Sequence, residues 1–243
     1  MAVTSLTTLE LLQGVLTLIF VVVSIILGVS IMLKYFKYQN RSFLLFGISW
    51  ICLISPYWPD AITILTITFF NSELPEILYF FLAMAFVPVV HITWIMAMTD
   101  LIYRNKKMVL MAIFTIEAVL YEIFFLFFLF TNKASIGTRV ATFDIDWSLF
   151  VIIYLLFSIV AFTITGLMFA IESLRSEKDD IRLKGYFLLI AFLSFAIGTF
   201  FESILVLNPL ILVIIRIIVL FAAFEFYIGF TLPSIIKKAF LKQ

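Results

Sequence analysis

The chain has 243 residues, 65% of them hydrophobic and only 13% charged, with a mean hydropathy of +1.23. A soluble domain carries about 25% charged residues, so this composition excludes an ordinary soluble fold and a nucleic-acid-binding surface. The formal net charge is +1, so it is the placement of charges rather than their sum that informs.

The first ten residues, "MAVTSLTTLE", contain no Lys or Arg. A cleaved signal peptide needs a basic leading region, so Leu11 onward reads as a retained first span. A bilayer core needs roughly 20 apolar residues per helix. Seven runs reach that length, approximately 11–33, 42–70, 76–103, 108–130, 147–171, 185–206 and 209–232. The second is too long to be straight and carries "SPYWPD", where Pro56 and Pro59 each remove a backbone donor; a kink or broken turn is expected there. The rest reads as short connectors around one all-α domain, a seven-transmembrane-helix bundle. After Pro233, the segment Ser234 to Lys242 can form a short amphipathic surface helix.

Of sixteen basic residues, thirteen follow the first, third, fifth or seventh run, and only Lys133 and Arg139 lie on the other side. This positive-inside bias places the N-terminus outside and the C-terminus in the cytoplasm of a multi-pass cell-membrane protein. Arg216 is the sixteenth and lies within a span.

Ionisable groups at depth are the candidate functional residues, because each costs on the order of 2.5–3.5 kcal/mol at mid-bilayer and therefore faces the bundle interior. At about 1.5 Å per residue, Asp60, Glu122, Glu202 and Arg216 share the outer half, and form the candidate ligand-binding set. His91, Glu117 and Glu225 fall nearer the middle or inner half, as candidates for proton or hydrogen-bond chemistry. Nine residues separate Arg216 from Glu225, which puts them on opposite sides of one helix. Arg216 must pair elsewhere, with Glu122 or Glu202 as the expected partner. Small and polar residues recur at helical spacing on several runs, among them Gln13, Thr17, Ser24 and Gly28, and Tyr154, Ser158, Ala161 and Thr165, as helix-packing stripes. On the inner side Arg104, Lys106, Arg175, Lys178 and Arg182 offer a docking surface for a cytoplasmic signalling partner.

Several chemistries are missing. Cys52 is the only cysteine, so no intrachain disulfide can form. One histidine excludes a multi-histidine zinc site. No G-x-S-x-G, H-E-x-x-H or phosphate-binding glycine loop occurs, so no enzyme class is indicated. Asp144 and Asp146 in "TFDIDW" are weak calcium candidates. No lysine lies inside a span, so retinal is not expected and no cofactor is called for.

Seven spans with the N-terminus outside resemble the rhodopsin-like and receptor-like seven-helix class. The third run ends "MTDLIYRNKK", where Asp100, Tyr103 and Arg104 resemble, in a different order, the acidic–arginine–tyrosine ending of G-protein-coupled receptors. The terminal "GFTLPSIIKKAFLKQ" resembles their eighth helix. Their helix-six and helix-seven proline motifs are missing, and "NPLIL" at Asn208 sits at the wrong end of its span. The whole chain is also similar to archaeal seven-span proteins and to the seven-span sensor modules that precede histidine kinases. The resemblance implies a non-enzymatic sensor with an outward-facing polar pocket. A small proton-coupled carrier using Glu117, Glu225 and His91, and an accessory subunit in which Arg216 only holds helices together, are the alternatives.

Overall fold

The computed structural model describes residues 6–102, 104–204 and 209–241, so Tyr103, Asn208 and Lys242 lie outside the described residues. Seven helical runs are long and apolar enough to cross a membrane: Thr8–Tyr38, Ser42–Phe70, Glu76–Leu101, Arg104–Thr131, Leu149–Leu174, Asp179–Ser203 and Leu210–Thr231.

The first helix, α1 (Thr8–Tyr38), starts at a capping box in which Thr7 and Glu10 satisfy each other's backbone N–H groups. It ends at Gln39, in the left-handed region at φ 49°. Spans two and three are each broken. The second is α2 (Ser42–Leu53), a 3-10 turn at Ser55–Tyr57 and α3 (Trp58–Phe70). Pro56 and Pro59 account for the interruption, since neither can donate to the preceding turn. The third is α4 (Glu76–Met84) and α5 (Val87–Leu101), with the break at Ala85–Phe86 just ahead of Pro88. That second break is a feature beyond the expected one. The two are tied together: Ser55 Oγ donates to the Ala83 carbonyl at 3.1 Å, so backbone groups exposed at one interruption are met by a side chain from the other.

The remaining helices are α6 (Lys107–Thr131), α7 (Leu149–Leu174), α8 (Asp179–Ile204), α9 (Pro209–Thr231) and the short α10 (Ser234–Phe240). α8 packs mainly on α7 and α9, α9 also on α1, and α1 on α2; α6 packs on α5 and α4. α1 and α2 approach closely enough that a Cβ on Gly47 would lie 2.1 Å from Met32 Cγ and 2.6 Å from the Gly28 carbonyl oxygen. One buried cluster gathers Phe46, Trp50, Trp94, Phe162, Phe192 and Phe226. A second, nearer the other end, gathers Tyr79, Phe80, Met84, Phe125 and Leu129.

The reading of that end as bare connectors is corrected. β1 (Gly137–Ala141) and β2 (Asp144–Trp147) pair antiparallel, with a register shift between Arg139 and Ala141. The tip residue Phe143 is buried against α1. Gln13 Nε2 donates to its carbonyl at 3.4 Å, and a Cβ on Gly14 would meet its ring at 2.9 Å. Glycine at that position lets the tip seat on the bundle.

Candidate functional site

Arg216 is buried, with 3% of its surface exposed, and polar and aromatic groups from several elements surround its guanidinium. Nε donates to Thr17 Oγ1 at 2.8 Å, and that hydroxyl in turn donates to the Gln13 carbonyl at 2.9 Å. Nη1 meets Glu202 Oε1 at 2.5 Å, and Nη2 stands 3.5 Å from Asp60 Oδ2. The guanidinium carbon sits 4.5 Å from the centre of the Tyr57 ring, over its negative face. The carboxylates are held in turn by phenols. Tyr57 donates to Glu202 Oε2 at 3.0 Å, and Tyr79 donates to Asp60 Oδ1. Four spans thus meet at one cation: α1 through Thr17, α3 through Asp60, α8 through Glu202 and α9 through Arg216 itself.

The proline break makes this possible. It ends one helical segment at Leu53 and restarts at Trp58, bringing Tyr57 and Asp60 to the same cavity. That cavity encloses about 120 Å³ between the broken span, α7, α8 and α9. Phe143, Asp144, Ile145 and Trp147 of the hairpin roof it, and Ser158 and Thr199 add hydroxyls to its wall. Arg139 holds the roof in place, donating to the Leu74 and Thr142 carbonyls at 3.2 and 2.6 Å and lying 5.0 Å over the Tyr79 ring. Among the described residues Asp144 has no such cation: burial lifts its carboxyl above the ordinary range, and Asp146 and Glu202 repel its charge further.

Of the four residues assigned to this site from depth, Asp60, Glu202 and Arg216 come together and Glu122 does not. The expectation that Glu122 was an equal partner is corrected by helix order: α6 packs on α5 and α4, whereas α9 packs on α8 and α1. Glu122 Oε2 is buried and has no hydrogen-bond partner among the described residues, next to Tyr121. The middle-depth group separates too. His91 bonds to Glu117 at 2.8 Å, while Glu225 is apart from both, bonded to Ser194 on α8. Trp94 packs in the aromatic core and donates to Thr165 Oγ1 at 2.8 Å.

At the opposite end, Arg104 and Lys106 form a short 3-10 turn and are exposed. Arg175 pairs with Glu172 at 3.7 Å and Arg182 with Asp179, while Lys178 starts the turn into α8. Asp100 is held by Arg41 at 2.7 Å and Lys107 at 2.5 Å; these, rather than Arg104, are its ion-pair partners. α10 is fastened by Lys237 to Asp180 at 2.5 Å and by Phe240 against Phe187.

Tyr57, Tyr79 and Asp144 are the site residues that depth arguments passed over. Tyr57 is one of the two residues between the prolines of the expected break, and only that position hinted at it. Tyr79 carried no signal and Asp144 stood out only as a weak calcium candidate, because only the tertiary fold brings them to Asp60 and Glu202. Among the described residues no cluster of three metal-ligating side chains occurs. Compared with protein-family models, curated proteins and solved structures, the chain matches none.

Proposed function

We propose that the protein is a non-enzymatic sensor of receptor type in the cell membrane, and that the roofed cavity receives a small organic cation from outside. One observation carries the ligand class. The cavity holds three carboxylates, Asp60, Glu202 and Asp144, against one guanidinium, inside walls that include Tyr57, Tyr79, Trp147 and Phe195. Arg216 neutralises at most one of those charges, and aromatic faces attract cations. A protonated amine would relieve the excess; an anion would add to it. The volume sets the size, because a cavity of about 150 Å³ accommodates benzene. The basic asymmetry supports an outward-facing hairpin end. Arg104, Lys106, Arg175, Lys178 and Arg182 then lie on the cytoplasmic side, where a signalling partner would dock.

The test is thermal stabilisation of the purified protein by n-propylamine, n-propanol and propionate in turn. Ligand bound only to the folded state raises its stability, so the amine should raise Tm and the alcohol and the acid should not. Asp144→Asn should remove the difference. Equal shifts from all three compounds, or none, would refute a cation site. The amine effect should also fade as pH falls, and should do so above the usual carboxylate range, because Asp144 takes up its proton early.

A further inference from the structure

The roofed cavity has a polar end and an apolar end, and the directions of the helices sort them. The hairpin joins α6 to α7, so α7 runs away from the roof and α8 runs back toward it. All three lining carboxylates stand toward the roof: Asp144 on the hairpin, Asp60 on the second span and Glu202 on α8. On four elements the lining residue farthest from the hairpin is apolar: Leu53 on the second span, Val87 on the third, Ile159 on α7 and Phe195 on α8. Phe195 and Glu202 are seven residues apart, about 10 Å along the helix. Arg216, the deepest contribution of α9, is held at the carboxylate end by Glu202 and Asp60.

The hydroxyls between the two ends are engaged within the protein. Thr199 Oγ1 donates to the Phe195 carbonyl at 2.8 Å. Ser158 Oγ is 2.7 Å from the Tyr154 carbonyl and 2.9 Å from His91 Nε2, and its proton is spent whichever of the two receives it. Among the described residues no carboxylate lines the deep end. A charge placed there would be buried without a counter-ion, which is costly, whereas a hydrocarbon there gains by leaving water. An ammonium compound therefore has one orientation open to it, its head under the roof and its tail toward the centre of the bundle. In proportion to the cavity of about 150 Å³ that accommodates benzene, a volume of about 120 Å³ takes roughly five non-hydrogen atoms.

Resting on the cation reading above, we propose that the ligand is an unbranched primary monoamine of about four carbons, bound head toward the roof, and that Ile159 sets the length of its tail. Asp60, Glu202 and Asp144 receive the ammonium, and Leu53, Val87, Ile159 and Phe195 receive the chain. Ile159 is the floor residue that can change without disturbing the bundle. It is half-buried and belongs to neither of the two buried clusters, whereas Phe195 is packed among Trp50, Phe162 and Phe226. Truncating Ile159 to alanine takes three carbons from the floor and gives their room to the tail. A diamine of the same length fits badly, because its second ammonium reaches the apolar end.

The test is a chain-length series on the full chain: apparent affinities of ethylamine, butylamine and hexylamine from thermal stabilisation, each set against the matching alcohol. A methylene that enters the cavity should gain about fourfold, so butylamine should bind about sixteenfold tighter than ethylamine. Hexylamine, too long for the floor, should bind more weakly than butylamine, and so should 1,4-diaminobutane. In Ile159→Ala the order of hexylamine and butylamine should reverse. If that variant does not fold, Ile159→Val makes the same comparison, with pentylamine gaining on butylamine. Affinity that climbs through hexylamine in the wild type, a diamine that equals butylamine, or an order unchanged by the substitution would overturn the proposal and leave the cation site standing. Stabilisation by no amine at all would refute the cation site, and the orientation with it.

Discussion

At Arg216 the desolvation of a charge and its local partners are closely matched. Its side chain is 2% exposed, and Asp60 and Glu202 are 5% and 22% exposed. Breaking a buried pair by removing one partner typically costs about 3–5 kcal/mol, while replacing the whole set with apolar groups can be nearly neutral. Arg216→Leu should therefore destabilise strongly, because it abandons two carboxylates at once. Adding Glu202→Leu should recover part of the loss, since Glu202 makes the closer contact, and adding Asp60→Leu as well should recover most of it. Chemical or thermal denaturation of the series in one detergent gives the ordering. If the double variant is no more stable than Arg216→Leu alone, the Glu202 contact contributes nothing and the cage description is wrong. If the recovered triple variant no longer responds to amine, the cage recognises ligand as well as joining helices.

Among the elements, two glycines separate what holds the bundle from what covers its cavity. Gly47 opposes the Gly28 carbonyl, a backbone atom that cannot swing aside. Gly14 opposes the Phe143 ring at the hairpin tip, which can. Overpacking costs about 1–3 kcal/mol where neighbours can adjust and more where they cannot. Gly47→Leu is expected to abolish the folded, monodisperse protein in size-exclusion chromatography. Gly14→Leu should fold, lose only modest stability, and lose the preference of propylamine over propanol by lifting the roof. Retention of that preference would mean the hairpin is not a functional cover. The contrast also marks what the sequence disclosed. The spans and the break at Pro56 and Pro59 were legible, because length, hydropathy and a missing N–H act locally. The hairpin was not, since strands of five and four residues between long helices offer too little period-two pattern to register. Depth alone left Glu122 and Glu202 equal beside Arg216, and only the order of helices around the bundle separates them.

For the molecule as a whole, the two ends differ in construction. One carries the hairpin, Lys133 and Arg139, each of these cations engaged with an acidic partner, Glu76 and Glu73 respectively. The other carries nearly all the remaining basic residues, with Lys34 donating to the Thr231 carbonyl at 3.1 Å at the end of α9 and α10 lying alongside. Cationic groups at that helix C-terminus complement its dipole, and loops rich in Lys and Arg stay on the cytoplasmic face during insertion. The cavity, its roof and the broken halves of spans two and three should then open outward. A Cys52→Ser background removes the one native thiol, after which Ser135→Cys and Lys178→Cys place single probes at opposite ends. A membrane-impermeant maleimide applied to intact cells should label the first and spare the second, and lysis should expose the second. Labelling of Lys178→Cys from outside would invert the molecule, put the cavity on the cytoplasmic face and turn its cation selectivity toward an intracellular signal.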